Sequence, residues 1–278
     1  MEKVMAGRIP LWCLIIIAAA FANTTFASDK ETIAIIGTGD LGDSFGVRFA
    51  ELGYTIVYGS RTPDSEKAQR VVSETGHGAS VTTQVEAARQ GDIVILAIPW
   101  PAMNTVAKSL GDLSGKIVVD PSLPWTQGED GYPASQADPS SAELIQRWNP
   151  GAYVVKGIGS MGSMIIDRPS AVDGPVTIPL ASDHRGAKER VAGLVAELGL
   201  DPVDFGPLRM GRYIDALQLI YMIPLLQQAD EEWEFYFRRN ADWVCQWQDD
   251  WSEPVYDKDN LAVMPETQNP LTPCSPDE

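Results

Sequence analysis

The most constraining feature of the sequence is Thr32-Ile33-Ala34-Ile35-Ile36 running directly into Gly37-Thr38-Gly39-Asp40-Leu41-Gly42. A β-branched run of this kind reads as a fully buried strand. The G-x-G-x-x-G that follows opens a helical pattern over Asp43–Leu52. Each glycine has a separate physical task in such a turn: Gly37 permits the tight reversal, Gly39 lets the backbone approach a ligand, and Gly42 lets helix and strand pack closely. The free N–H groups and positive end of the helix then form an anion site suited to a pyrophosphate. A strand before the motif and a helix after it make this a dinucleotide-binding turn.

The rest of the chain agrees with that start. Tyr54–Tyr58, Asp92–Ala97 and Lys116–Asp120 are further buried strands, separated by short amphipathic stretches at Pro63–Glu74, Thr83–Arg89 and Pro101–Leu110. Strands alternating with helices at this interval build right-handed βαβ units. The expected fold is therefore α/β: a Rossmann, doubly wound, mostly parallel sheet over residues 31–206. Residues 121–139 are rich in Pro, Gly, Ser and Asp and read as a loop, partly docked through Trp125 and Tyr132. Ser140–Trp148 and His184–Leu198 read as helices, Ala152–Lys156 and Val176–Leu180 as strands. A C-terminal helical extension over 207–260 begins with an apolar helix at Arg209–Gln228, interrupted near Pro224. It continues into an acidic stretch in which Trp243, Trp247 and Trp251 share one helix face. Residues 261–278 read as a disordered tail.

The choice of dinucleotide is read at the end of the second strand. A site for NAD places an acid there to accept from the ribose 2′-hydroxyl. Here the strand ends in Gly59-Ser60-Arg61-Thr62, and the first acid is Asp64. Arg61 can fork a 2′-phosphate, with the Ser60 and Thr62 hydroxyls donating beside it. The expected cofactor is NADP.

Composition removes other classes. A formal charge of −17 over 278 residues leaves no surface to neutralise a nucleic acid backbone or an anionic membrane. Only His77 and His184 are present, and no metal-ligand spacing occurs. Ahead of the strand motif, Lys3 and Arg8 precede the apolar run Leu11–Ala22, and Thr25-Phe26-Ala27 offers a cleavage site before Ser28. This reads as a signal peptide over residues 1–27 and implies export to the periplasm, with an uncleaved membrane anchor as the alternative. Cys13 leaves with that peptide, and whether Cys245 and Cys274 then pair is open. The C-terminal helices offer a face for a homodimer.

Taken in order, Ile-Ala-Ile-Ile-Gly-Thr-Gly-Asp-Leu-Gly, Val-Tyr-Gly-Ser-Arg and Ile-Leu-Ala-Ile-Pro-Trp (residues 95–100) resemble the NADP-dependent oxidoreductases of the coenzyme F-420 reductase family. Tyr153-Val154-Val155-Lys156-Gly157 and Leu200–Leu208 extend the likeness, which covers about residues 31–229. The reductase domains of the STEAP proteins are similar, as is the N-terminal domain of pyrroline-5-carboxylate reductases. The resemblance implies hydride transfer between NADP(H) and a flavin, deazaflavin or similar planar small-molecule acceptor. An imine or pyrroline-carboxylate type reductase and a non-catalytic NADP-binding sensor are the alternatives. It implies pyrophosphate contacts at Thr38, Gly39, Asp40, Leu41 and Gly42, beside Gly37, and 2′-phosphate contacts at Ser60 and Arg61. Ala97, Ile98, Pro99 and Trp100 would run beside the ribose and nicotinamide, with Gly157 near the ring. No acid–base residue is implied, because direct hydride transfer between rings rests on position. One departure stands out: the resemblance implies a Phe or Leu and then an Asn or His after Val155-Lys156-Gly157, where this chain has Ile158 and Gly159.

Overall fold

Alternation along the first strand explains the layering. In the computed structural model, which describes residues 30–135, 138–226, 234, 236 and 237, Ile33 and Ile35 point into one core and Ala34 and Ile36 into another. All four are completely buried, so this strand must lie at the centre of a sheet covered on both faces. In chain order the first half comprises β1 (Thr32–Ile36), α1 (Asp40–Glu51), β2 (Thr55–Ser60), α2 (Glu66–Thr75), β3 (Ser80–Thr83), α3 (Gln84–Gln90), β4 (Ile93–Ile95), α4 (Trp100–Ser109) and β5 (Ile117–Asp120). The second half comprises β6 (Trp125–Gln127), β7 (Pro133–Ser135), α5 (Ser141–Trp148), β8 (Tyr153–Lys156), α6 (Ser163–Asp167), β9 (Thr177–Leu180), α7 (Arg185–Glu197), β10 (Asp201–Asp204) and α8 (Gly211–Leu226).

Six strands form one sheet in the order β3-β2-β1-β4-β5-β8, and every pairing in it is parallel. The strand order reverses direction between β1 and β4. In an open α/β sheet, ligands bind at that switch point, outside the carboxyl ends of the strands. One core packs α1 and α7 on the sheet through Phe45, Phe49, Val191 and Leu194. The other packs α3, α4 and α5 through Ala87, Met103, Val106 and Ile145. The parallel pair β9–β10 joins the sheet by a single antiparallel bridge between Lys156 and Ala181.

The doubly wound fold matches the sequence expectation, with two corrections. The stretch 121–139 holds a short antiparallel hairpin, β6 paired with β7, where the sequence suggested a loop. The edge strand β3 and the strand β10 form where no strand was expected, held by pairing to β2 and β9. The last helix among the described residues, α8, runs through Pro224 to Leu226. The apolar run Leu11–Ala22, the cysteines Cys13, Cys245 and Cys274, and the Trp243, Trp247 and Trp251 face all lie outside the described residues. No helix among the described residues is long and apolar enough to cross a membrane.

Candidate functional site

The three glycines of the first turn divide their work as their surroundings dictate. Gly37 has φ +123°, a conformation L side chains rarely adopt, and a Cβ there would lie 2.2 Å from the Ala97 carbonyl oxygen. Its N–H donates to the Gly59 carbonyl at 3.0 Å. The exits of β1, β2 and β4 therefore converge on one residue without a side chain. A Cβ on Gly42 would lie 2.8 Å from the Gly37 carbonyl oxygen, so α1 can start this close to β1 only as glycine. A Cβ on Gly39 would meet nothing within 4 Å. Gly39 is the N-cap of α1, and no side chain caps the free N–H groups of that helix end. The backbone of Gly39, Asp40, Leu41 and Gly42 thus offers donors toward open space, as an anion site requires.

Two acids sit in the first turn of α1, Asp40 and Asp43. Asp40 is exposed and reaches the crevice. Burial, reinforced by the nearby charges of Glu74 and Asp167, pushes the Asp43 carboxyl above the ordinary range. The Asp43 N–H donates to the Gly39 carbonyl at 2.9 Å, which closes the first turn.

At the end of β2, Ser60 is buried and its Oγ accepts from the Thr62 N–H at 3.1 Å. This small turn leaves Arg61 exposed, with no ion pair or hydrogen bond among the described residues. At the end of β4, Leu96–Trp100 turns into α4, with Pro99 as N-cap and the Ile98 N–H donating to the Leu96 carbonyl at 2.9 Å. Trp100 stacks on Trp148 with ring centroids 6.2 Å apart, which fixes its orientation.

A cavity of about 660 Å³ opens at these strand ends. Seven of the sequence-predicted residues line it: Gly39, Asp40, Leu41, Ala97, Ile98, Pro99 and Trp100. Gly37, Thr38, Gly42, Ser60 and Arg61 stand at the same edge of the sheet, outside the lining itself. Gly157 follows β8 outside the cavity lining, and a Cβ there would lie 2.3 Å from the Leu180 side chain, so its nearest neighbours are β9 and the Asp120 carbonyl. The far wall was not legible from sequence: Pro121, Ser122, Leu123, Trp125, Thr126, Gln127 and Met222. Of the two aromatic residues expected to dock this stretch, Trp125 lines the cavity, whereas Tyr132 is exposed.

Beneath that wall lies a charged cluster that the sequence reading also missed. Lys156, Asp120, Asp215 and Ser141 are each completely buried. The Lys156 ammonium sits 2.7 Å from Asp215 Oδ1 and 3.3 Å from Asp120 Oδ2, and it donates to Ser141 Oγ at 2.8 Å. Burial opposes its charge, but the two carboxylates outweigh burial and hold the ammonium above its usual range. Burial also pushes the Asp215 carboxyl up, against the pull of Lys156. A strand ending in a lone lysine after Val154 and Val155, and an acid inside an apolar helix, were the available signals.

Crossover helices on both faces, a glycine-lined uncapped helix start and a crevice at the switch point define a dinucleotide-binding domain of the Rossmann class. Comparison with known proteins narrows this. The family model described as NADP oxidoreductase coenzyme F420-dependent matches residues 32–124. The F420-dependent NADP reductase of Methanothermobacter thermautotrophicus is 31% identical over 201 residues, covering 66% of this chain and 85% of the relative. The metalloreductase STEAP3 of Rattus norvegicus is 28% identical over 191 residues, 69% of this chain and 37% of its own length. This chain therefore spans little more than a third of the curated metalloreductases it matches. A crystal structure from an Arthrobacter species superposes with a TM-score of 0.65 at 24% identity, over 74% of this chain and all of that one, and shows the same fold. The chain belongs to the F420-dependent NADP reductase family.

Proposed function

We propose that the chain is an NADPH-dependent oxidoreductase passing hydride between NADP(H) and a flavin, a deazaflavin such as coenzyme F420, or a similar planar acceptor. The observation that carries the nucleotide half is Arg61: exposed, without a partner among the described residues, and standing at the end of β2 where an acid would select NAD. The free helix start at Gly39 and the open space in front of it fit a pyrophosphate. When bound, the nicotinamide supplies the hydride. The protein's share is placement. The N–H groups of Asp40, Leu41 and Gly42 hold the diphosphate, Arg61 holds the 2′-phosphate, and Ala97–Trp100 lie along the cavity toward the acceptor. The apolar and aromatic far wall, with Leu123, Trp125 and Met222, suits a flat ring and sheds water from the transfer path.

Anaerobic NADPH oxidation against a panel of flavins, deazaflavins and ferric chelates tests this reading. Turnover of a ring acceptor supports it; binding of NADPH with no acceptor reduced overturns the enzyme reading in favour of a sensor. Arg61→Ala should weaken NADPH by about 1.5–3 kcal/mol, the scale of hydrogen bonds to charged groups, and leave NADH nearly unchanged. Export is a further part of the proposal, resting on Lys3, Arg8 and the Leu11–Ala22 run. Protein from the native host should begin at or near Ser28, and an intact Met1 on cytosolic protein would refute it.

A further inference from the structure

We propose that helix α8 sets the acceptor side of the cavity through a buried polar clamp, which makes Gln218, Asp215 and Lys156 positioning residues. The inference rests on reading this cavity as the acceptor site. Two consecutive residues of its far wall, Pro121 and Ser122, have their carbonyl groups held from beneath by buried side chains. Gln218 Nε2 donates to the Pro121 carbonyl at 3.2 Å. The Lys156 ammonium donates to the Ser122 carbonyl. Lys156 is held in turn by Asp215, whose other oxygen accepts from the Ser141 N–H at 3.0 Å.

Asp215, Gln218 and Met222 fall at i, i+3 and i+7, so they share one face of α8. Gln218 grips the wall from below, Asp215 holds the lysine that grips the residue beside it, and Met222 lines the cavity directly. One helix face therefore supplies both a piece of the wall and the anchors of the piece beside it. Gly159 makes this possible. A Cβ at 159 would lie 2.0 Å from the Pro121 carbonyl oxygen and 2.1 Å from Gln218 Nε2. The absence of a side chain at 159 leaves that space to the Gln218 carboxamide. Gln218 is 1% exposed, and its Oε1 has no partner among the described residues, so the amide is oriented by its single bond to Pro121.

The clamp touches the wall and nothing in the nucleotide turn. It should therefore act on the acceptor and leave NADPH alone. Gln218→Leu keeps volume and removes the donor, while Gln218→Asn keeps a carboxamide on a shorter stem. The full-length protein is assayed in steady state with the best acceptor of the panel, alongside fluorescence titration of NADPH and thermal unfolding. Gln218→Leu should raise the acceptor KM about tenfold or more with the NADPH Kd within about twofold, and Gln218→Asn should recover part of that loss. Asp215→Asn, which keeps an acceptor for Lys156 at similar volume, should shift the same KM in the same direction. A Gln218→Leu protein with unchanged acceptor KM overturns the proposal, whatever its melting temperature. So does a parallel loss of NADPH affinity, which would mark α8 as general scaffolding. If the wild-type protein reduces no acceptor, the reading of the cavity itself fails, and that outcome is separate from either of these.

Discussion

Gly37 and Gly39 stand two residues apart, yet alanine should fail at each for opposite reasons. At Gly39 the backbone is extended, with φ −98° and ψ 178°, and a Cβ meets nothing within 4 Å. Removing a glycine where alanine fits gains about 0.4–1 kcal/mol from the unfolded chain. Losing glycine as the N-cap costs a comparable amount, about 0.5–1 kcal/mol. The two nearly cancel, so Gly39→Ala should melt within about 3 °C of wild type. Its NADPH affinity should nonetheless fall by more than about a hundredfold, or about 2.7 kcal/mol, because the methyl stands where the diphosphate must approach the backbone. At Gly37 the φ of +123° costs an alanine about 1–3 kcal/mol, and the 2.2 Å approach to the Ala97 oxygen adds about 1–3 kcal/mol of overpacking. At about 2–4 °C per kcal/mol, Gly37→Ala should lose roughly 5–20 °C. Thermal unfolding and NADPH fluorescence titration on both variants decide the matter. If Gly39→Ala binds NADPH like wild type, the assignment of the anion site to the start of α1 is wrong. If Gly37→Ala melts like wild type, the steric argument is wrong.

Tyr58 is buried and hydrogen-bonded to Thr75 Oγ1 at 2.8 Å, and burial pushes its phenol up to about 12. The folded value lies above the unfolded one, so its contribution is complete below about pH 10 and is lost as pH rises through about 12, some 2–3 kcal/mol in all. Urea unfolding from pH 9 to 12 should show a shallower alkaline decline in Tyr58→Phe than in wild type; parallel declines would refute it. His77 is exposed in the turn before β3, and His184 rests on Tyr153, the first residue of β8, at the sheet edge opposite the crevice. Alanine at either should change kcat by less than about fivefold under single-turnover conditions. A hundredfold loss with NADPH binding intact would reveal a general acid and favour imine reduction over transfer between rings.

The nucleotide half was legible because it is local. A five-residue strand with four buried side chains, three glycines and a helix follow one another between Thr32 and Glu51, so pattern alone placed strand, turn and helix. The place of Arg61, just past the end of β2, was legible for the same reason, as a position counted from that turn. The far wall of the cavity is assembled from distant segments, and adjacency in sequence says nothing about it. β3 is a polar edge strand, Ser80-Val81-Thr82-Thr83, whose propensity is weak and whose structure comes from β2. The β6–β7 hairpin has three residues in each strand within a Pro- and Gly-rich stretch that otherwise reads as loop. Lys156 and Asp215 each looked like an isolated charge in an apolar element, and only the crossing of β8 with α8 shows that they neutralise one another.

The order of these segments along the chain has a consequence for biosynthesis. Everything that contacts the dinucleotide in the proposed complex precedes residue 101, while the last anchor of the opposite wall is on α8. A chain made from its N-terminus therefore holds every nucleotide contact of the proposed complex well before it holds the helix that completes the opposite wall. Until Asp215 emerges, the Lys156 ammonium has only Asp120 to offset it, and an unmatched charge of this kind resists being buried. Strand β8 should thus lock into the sheet late, once the helix that neutralises it is in place.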